Sequence, residues 1–305
     1  MNQSYWTRLR KDFQVNKMLY LMFLPIFVYF ILFCYKPMYG VLMAFFDYKP
    51  ARGYLGSDWV GLQNFIDYFE GPYFFRNVKN TLALSFGFLF FSFPLPIILA
   101  LLLNEVKNKY FKKTIQTVTY LPHFVSIVVI CGMISSFSLD TGLFSDIIAF
   151  FGGKRSALLS DPDAYRPIYI GSGIWRELGY NSIIYLAALS GVDTQLYEAA
   201  KIDGAGKWKQ TLHVTLPGIL PTIVIKLILQ IGTLMSIGYE KTLLLYNPAV
   251  YSTADIISTY MYRIGLEQTN WSAGTAVELF NSVINIMLVV LANKISKKVT
   301  ENSLW

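Results

Sequence analysis

Apolar residues dominate six stretches of the chain, and polar or charged segments separate them. The stretches cover residues 18–35, 80–103, 114–137, 165–190, 218–245 and 275–293. Each is long enough to cross about 30 Å of hydrocarbon at about 1.5 Å per helical residue. The alternating ten-residue pattern of transmembrane β-strands does not occur. The pattern therefore predicts an all-α membrane protein with six transmembrane helices.

Composition supports a membrane protein. Of the 305 residues 54% are hydrophobic and only 15% are charged, which is too apolar for a water-soluble domain of this length. The first stretch follows a short basic segment, as in a signal peptide. It lacks a small-residue cleavage site, however, and its apolar run is long, so we expect a retained helix.

The Lys and Arg residues predict the orientation in the membrane. They cluster on one side of a six-helix layout, at Arg8, Arg10, Lys11, Lys17, Lys107, Lys109, Lys112, Lys113, Lys201, Lys207, Lys209, Lys294, Lys297 and Lys298. By the positive-inside rule that side is the cytoplasm, with both termini inside. The predicted organisation is a tail at 1–17, a six-helix domain at 18–293 and a tail at 294–305. The net charge of +7 then reflects topology, and no soluble basic module suggests nucleic-acid binding.

Prolines and glycines predict irregular helices. Pro94, Pro96 and Pro122 lie inside the second and third stretches, where each should kink its helix. Freed carbonyls are tolerated in lipid only where neighbouring helices satisfy them, which favours a bundle around a cavity. A short interfacial helix is expected before Gly71-Pro72.

The segment 191–217, between the fourth and fifth stretches, is long for a cytoplasmic turn. Leu196 to Ile202 suits a short helix that ends at Gly204. A second short helix is predicted from about 205 to 214, ending before Pro217. The small alanines would let a partner surface approach closely.

Three elements of this segment form a motif. Glu-Ala-Ala at 198–200, Asp-Gly-Ala at 203–205 and Leu-Pro at 216–217 resemble, in residue type and spacing, the EAA loop of binding-protein-dependent ABC importer permeases. The resemblance implies a helix that docks on an ATPase subunit and couples it to transport. The implied coupling residues are Glu198, Ala199, Ala200, Asp203, Gly204, Ala205, Leu216 and Pro217.

Other segments are similar to the carbohydrate-uptake group, including the maltose-type permeases. These are Val60 to Phe65, Tyr120-Leu121-Pro122, Gly238 to Lys241 with Leu243 to Leu245, and Gly274 to Ala276 with Phe280 to Ser282. The resemblance implies a type I importer fold in the bacterial cytoplasmic membrane. It also implies a second related permease, two ATPase subunits, an external solute-binding protein and an oligosaccharide cargo.

The chain has no Gly-x-x-x-x-Gly-Lys-Ser/Thr loop for a nucleotide. We therefore expect a non-catalytic subunit without a cofactor, with ATP and Mg on the partner ATPases. The two histidines, His123 and His213, have no partner at metal-ligand spacing, so no metal site is expected.

Polar residues at membrane depth are costly and indicate candidate cargo contacts. The fourth stretch carries Arg176, Glu177, Tyr180 and Asn181. The fifth places Lys226, Gln230, Thr233 and Glu240 on one predicted helix face, and the sixth places Glu278, Asn281 and Asn285 on another. Tyr180 resembles an aromatic at this distance before the loop in maltose permeases, and Tyr239 offers a second flat face for a sugar. The candidate set is Arg176, Glu177, Tyr180, Asn181, Gln230, Thr233, Tyr239 and Asn281.

Each of these residues also has a structural interpretation. Lys226 can snorkel to the inner interface, Glu240 and Lys241 can lie near the outer one, and Asn281 and Asn285 can bond neighbouring helices. At the position of Glu278 the family that this chain resembles tends to have a smaller residue, so no role is assigned to Glu278.

Three other classes of membrane protein make different demands on the sequence. A membrane enzyme would need a motif such as His-Glu-x-x-His or Gly-x-Ser-x-Gly, which the sequence lacks. An ion-coupled secondary transporter would show inverted repeats, and its transport would continue after loss of any ATPase. A permease for another small solute would keep the same machinery and change only the cargo.

Overall fold

The computed structural model describes residues 11–300 and 303–304, with the side chains of 299 and 300 left aside. Most of the predicted N-terminal tail, including Arg8 and Arg10, lies outside the described residues, as does most of the segment after residue 300.

The described chain is mostly helical. The helices are α1 (Lys17–Phe45), α2 (Gln63–Glu70), α3 (Phe74–Glu105), α4 (Lys109–Phe124), α5 (Ile127–Phe137), α6 (Leu143–Phe150), α7 (Pro162–Ser190), α8 (Thr194–Ile202), α9 (Lys207–Ile231), α10 (Tyr239–Leu245), α11 (Tyr251–Ala254), α12 (Ile257–Tyr262) and α13 (Trp271–Thr300). Strands β1 (Phe46–Asp47) and β2 (Asp58–Trp59) form one antiparallel hairpin, in which Phe46 pairs with Trp59. Short 3-10 turns cover Leu158–Ser160, Leu234–Ser236 and Pro248–Val250, and a π turn covers Arg263–Glu267.

Four helices of the described chain, α1, α3, α9 and α13, are long and apolar enough to cross a membrane, and α4 with α5 would make a fifth span if counted together. Helix α7 has 29 residues, long enough to cross at about 1.5 Å per residue, but is less apolar. The expected short helix before Gly71 is confirmed as α2.

The kink predicted for the stretch 114–137 from Pro122 is confirmed, and it divides the stretch into two helices. Helices α4 and α5 meet at a bend of 96°. Pro122 lacks an N–H and weakens the end of α4, and Val125 is extended. Ser126 then starts α5, because its hydroxyl accepts a hydrogen bond from the Val129 amide at 3.3 Å.

The prediction of one helix over 218–245 is wrong. The apolar helix α9 ends at Ile231, Gly232 completes its last turn, a 3-10 turn follows at Leu234–Ser236, and α10 begins only at Tyr239. Thr233 and Glu240 therefore do not share a helix face with Lys226 and Gln230. We call residues 233–238 the break.

The loop 191–217 differs from expectation in one respect. The helix that starts at Lys207 does not end before Pro217 but continues through a π turn at Thr211–Thr215 into the apolar part of α9. Pro217 lies in the first turn after the π turn, where its missing N–H is tolerated.

Helix α7 is the centre of the bundle and packs on α3, α4, α9 and α11. Its contact with α4 depends on Gly179, since a Cβ there would lie 2.2 Å from the carbonyl oxygen of Thr119. Small residues allow such close backbone approach between membrane helices. The first part of α1, up to Met38, buries no side chain in the described chain.

A buried carboxylate joins several elements near the hairpin. Asp255 is 0% exposed and accepts hydrogen bonds from Arg76 at 2.7 Å and from Arg263 at 2.9 and 3.2 Å. Thr259 donates to the same carboxylate at 3.0 Å. Asn80 donates to the backbone carbonyl of Asp255 at 3.0 Å. This Asp255 cluster connects α3 to the segment that leads into α13.

We predict that Gly179→Ala destabilises the protein by about 1–3 kcal/mol or more, because the added methyl group forces α7 away from α4. The measurement is the midpoint of thermal unfolding of the purified protein in detergent. Gly171→Ala is the control on the same helix, since a Cβ there meets nothing within 4 Å. Equal midpoints for the two variants would contradict this packing.

We predict that Asp255→Ala destabilises the protein by about 3–5 kcal/mol, because it leaves the Arg76 and Arg263 charges without their partner. The same thermal unfolding assay measures the change. Asp47→Ala removes an exposed carboxylate, 3.1 Å from Lys49, and should cost at most about 1 kcal/mol. If Asp255→Ala lost no more stability than Asp47→Ala, the buried Asp255 cluster would contribute little to the stability of the protein.

Candidate functional site

The loop 191–217 begins with a well-capped helix. The Asp193 carboxylate accepts a hydrogen bond from the Gln195 amide at 2.9 Å and so caps the N-terminus of α8. The helix then carries Glu198, Ala199 and Ala200, none of which is buried. The predicted coupling motif is therefore presented on a short, regular and accessible element.

The end of α8 is a Schellman motif centred on Gly204. The Ala205 amide donates to the Ala200 carbonyl at 2.8 Å, and the Gly204 amide donates to the Lys201 carbonyl at 3.0 Å. Gly204 has φ +74°, a conformation that glycine adopts without a steric penalty. This is the reason for a glycine in the Asp-Gly-Ala part of the motif.

Few side chains attach the loop to the bundle. The Tyr197 hydroxyl donates to the Thr215 hydroxyl at 3.0 Å, and Lys207 pairs with Glu105 at the end of α3 at 2.8 Å. In contrast, Ile202 and Trp208 are 87% and 74% exposed. Large exposed apolar side chains on a helical projection are typical of a surface that another protein covers.

The loop has a concave side of about 400 Å³. It is lined by Leu196, Ala199, Ala200, Asp203, Ala205, Lys209, His213 and Val214. Four of the predicted coupling residues thus meet at one surface, and His213 is exposed there. Leu216 and Pro217 lie further along α9, outside this concavity.

The second candidate site is a cavity of about 520 Å³ beside the break. It lies between α3, α5, α7 and α10 and is lined by Phe88, Ile127, Ile130, Tyr169, Ser172, Gly173, Arg176, Glu177, Asn181, Ser236, Ile237, Gly238, Tyr239, Glu240 and Lys241. Its volume falls in the range of about 300–1,000 Å³ that small-molecule sites occupy.

The break forms one wall of this cavity, and side chains of other helices bond to its backbone. The Ser85 hydroxyl donates to the Leu234 carbonyl, and the Met235 amide donates to the Asn285 side chain at 3.0 Å. The Tyr169 hydroxyl donates to the Gly238 carbonyl at 3.2 Å. In a membrane, irregular backbone persists only with such partners or beside a cavity.

Charged groups on the α7 wall pair with one another. Arg176 donates from Nη1 to Oε1 of Glu177, and His123 on α4 lies with Nδ1 3.1 Å from Oε2 of the same carboxylate. All three side chains are partly buried. The Arg176 Nε, which is buried, has no hydrogen-bond partner in the described chain.

Lys241 is the most buried cation on the wall, at 8% exposure. Its Nζ donates to the Tyr169 carbonyl and lies 4.4 Å from the centroid of the Tyr169 ring. Gly173 leaves room for it, because a Cβ there would lie 3.1 Å from Nζ.

The structure brings half of the predicted cargo residues together. Arg176, Glu177, Asn181 and Tyr239 line the 520 Å³ cavity. Gln230 and Thr233 line an adjoining cavity of about 230 Å³, which shares Phe88, Ser236, Ile237 and Gly238 with the first.

Tyr180 and Asn281 lie elsewhere. The Tyr180 ring stacks on the His123 ring at a centroid distance of 3.6 Å and is absent from the lining of either cavity. Asn281 is 0% exposed and lies 3.4 Å from the Ser236 hydroxyl, so it supports the break from behind. Glu278 does not line the cavities either.

Sequence reasoning missed Lys241 and Ser236 as cavity residues. The available signal was the pair Gly232 and Gly238, which bracket polar residues inside an apolar run and so indicate an interrupted helix.

Comparisons with known proteins agree with this architecture. Residues 92–300 match the family described as binding-protein-dependent transport system inner membrane component. The polygalacturonan/rhamnogalacturonan transport system permease protein YteP of Bacillus subtilis is 48% identical over 95% of this chain and 91% of its own length.

Two solved structures are similar throughout. One is a bacterial ABC transporter involved in the import of the acidic polysaccharide alginate, with 43% identity and a TM-score of 0.89 over 96% of this chain and 99% of that chain. The other is the bacterial alginate ABC transporter in complex with an alginate pentasaccharide-bound periplasmic protein, with 42% identity and a TM-score of 0.89 over 97% of this chain and 100% of that chain. The chain belongs to the family of inner-membrane components of binding-protein-dependent ABC transport systems, and it has their type I importer permease fold.

Proposed function

We propose that this chain is one half of a two-permease pore in the bacterial cytoplasmic membrane. The pore passes an oligosaccharide, delivered by an extracytoplasmic solute-binding protein, into the cytoplasm. Two partner ATPase subunits, which hold ATP and Mg, drive the passage, and this chain contributes no catalytic group. The observation that carries the proposal is the projecting, capped helix α8 with its Glu-Ala-Ala and Asp-Gly-Ala sequence.

The proposed topology has six spans, namely α1, α3, the bent pair α4 and α5, α7, α9 with α10, and α13. Both termini and the loop 191–217 then lie in the cytoplasm. The basic residues at 107–113, 201–209 and 294–298 support this orientation. The lysine-rich loop is accordingly on the side where ATP is available.

The role of the loop is supported by its shape and its exposure. A helix with small residues at Ala199 and Ala200 and apolar side chains at Ile202 and Trp208 suits a groove on a partner protein. The continuity of α8 with α9 across only four residues, Asp203 to Gly206, would carry a movement of the ATPase into the bundle.

The oligosaccharide cargo is supported by the names of the relatives and by the cavity. Its wall combines amide, hydroxyl and charged groups with the rings of Phe88 and Tyr239. Hydroxyl-rich rings bind to such walls through polar edges and apolar C–H faces. Tyr180 and Asn281 remain candidate contacts, although in this structure both lie away from the cavity wall.

We predict that Gly204→Val lowers sugar import and cargo-stimulated ATP hydrolysis by at least about fivefold, because a β-branched residue at φ +74° costs about 1–2 kcal/mol or more and disrupts the end of α8. The measurements are uptake of labelled oligosaccharide by cells and ATPase activity of the purified complex.

Gly206→Val is the matched control two residues away. Gly206 has φ −66° and open space around it, so valine fits without strain. Both variants should reach the membrane in wild-type amounts. Full coupling in Gly204→Val would refute the assignment of this loop, and import that survives loss of the ATPase subunits would favour a secondary transporter.

We predict that Tyr239→Ala lowers import at limiting sugar by about 2- to 10-fold while basal ATP hydrolysis is retained, because the cavity loses an aromatic face worth about 0.5–1.5 kcal/mol. Tyr110→Ala is the control, since Tyr110 is 87% exposed and lies outside the cavity. Tyr180→Ala, measured alongside, tests whether the ring stacked on His123 also contacts cargo. Unchanged import kinetics in Tyr239→Ala would exclude this ring from the cargo path.

A further inference from the structure

Lys241 is a buried cation that the fold itself does not neutralise. It is 8% exposed and forms no ion pair within the described residues, where its hydrogen-bond partner is a neutral backbone carbonyl, that of Tyr169. An ammonium group has three N–H donors, so one such bond leaves the charge and further donors available. Burying a cation without a counter-charge is costly, so a buried unpaired cation at membrane depth indicates a functional site with an anionic partner.

The other charges on the wall do not provide that partner. Glu177 is engaged by Arg176 on one oxygen and by His123 on the other. Glu240, the remaining carboxylate of the lining, is exposed and forms no ion pair with Lys241 in the described structure. The formal charges of the lining sum to zero, Arg176 and Lys241 against Glu177 and Glu240, but the buried charge without a counter-charge is the Lys241 ammonium group.

The local packing keeps Lys241 at the cavity. Gly173 gives space to Nζ and to the Phe88 ring, whose Cε2 lies 2.7 Å from a Cβ built at that glycine. The Tyr169 ring, 4.4 Å below Nζ, holds the ammonium group by a cation–π contact. Arg176 faces the same cavity and has a buried Nε without a partner, so a second donor lies on the same wall.

We propose that Lys241 binds a carboxylate of the cargo and that the cargo is an acidic oligosaccharide built from uronic acids. This inference rests on the proposed function, because it names the class of oligosaccharide that the cavity accepts. A uronic acid carries an ionised carboxylate at neutral pH, which supplies the counter-charge that Lys241 lacks. Its remaining hydroxyl groups match Ser172, Asn181 and Ser236, and its C–H face matches Tyr239.

Two relatives are named for cargoes of this chemistry. One solved structure is of an importer of the acidic polysaccharide alginate, and YteP is named for polygalacturonan, a polymer of galacturonic acid. Cargoes of this chemistry carry the counter-charge that the buried Lys241 ammonium group lacks.

The test compares acidic sugars with uncharged copies of the same sugars. Cells that lack the gene for this chain are complemented with the wild type or a variant. They then receive labelled tri-galacturonate, tri-mannuronate or the carboxyl-reduced form of each. Membrane levels of the chain and dependence on the partner ATPase are checked for every strain.

The wild type should import at least one acidic trisaccharide about tenfold or more faster than its carboxyl-reduced form, since a charge-assisted hydrogen bond is worth that ratio or more. Lys241→Met should lower acidic uptake by about tenfold and leave uptake of the reduced form unchanged. Lys241→Arg should retain most of the acidic preference. Lys226→Met is the matched control, because Lys226 lies at membrane depth on α9 but outside the cavity. This variant should prefer acidic over carboxyl-reduced trisaccharides as strongly as the wild type does.

Contrary outcomes separate the two proposals. Equal wild-type uptake of acidic and reduced forms, or an equal loss of both in Lys241→Met, would overturn the carboxylate site. Chain-dependent import of neutral oligosaccharides alone would overturn it as well and leave the proposed function standing. If uptake of no oligosaccharide depends on this chain, both proposals fail. Because the solute-binding protein also selects cargo, the wild-type preference alone does not assign the site, and Lys241→Gln replaces Lys241→Met in the same comparison if the latter does not fold.

Discussion

Backbone hydrogen bonding at the break between α9 and α10 is the constraint on which the rest of the structure depends. In hydrocarbon an unpaired N–H or C=O costs several kcal/mol, so a helix interrupted at Gly232 needs substitutes for its lost bonds. Ser85, Tyr169 and Asn285 supply them from three different helices. The same residues thereby fix the positions of α3, α7 and α13 around the break, and the space beside it becomes the cavity. The polar side chains that the sequence offers as cargo contacts therefore divide into two groups. Some line the cavity, and others support the backbone of the break.

The two ends of the molecule are held together differently. Near the hairpin, Asp255 joins Arg76 and Arg263 in a buried cluster, and Arg166 reaches Asn80 at 2.8 Å from α7. At the other end the loop 191–217 is attached by a few polar contacts and exposes its apolar residues. Local stability follows the density of buried contacts, so we expect the hairpin end to unfold locally less readily than the loop. Elements that move during function are expected among those with few buried contacts. Helix α8 is an element with few buried contacts.

Much of the fold could be predicted from residue patterns. Apolar length located α1, α3 and α13, and the glycine at 204 located the end of α8, because both signals are local. The break was missed, since Ile231 to Gly238 is nearly as apolar as the helices around it and only its tertiary partners stabilise the irregular backbone. Pro217 misled the prediction of a helix end, because a π turn upstream accommodates the ring.

For the candidate site, Arg176, Glu177, Asn181 and Tyr239 were found by their polarity at membrane depth. Lys241 was not singled out as a cargo contact, because it could equally be assigned to an interface when the break was unknown.

The uninterrupted course of α9 through Pro217 has a geometric consequence. A rod of 25 residues is about 37 Å long, and its two ends lie at the two candidate sites. Rotating such a rod by about 10° about one end displaces the other by about 6 Å, which exceeds the width of a sugar hydroxyl contact and approaches that of a pyranose ring. If α9 moves as a rigid rod, a small rotation at Lys207 would therefore be enough to widen or close the space beside Gln230. No intermediate element has to change its own conformation, and the length of a single helix sets the amplification.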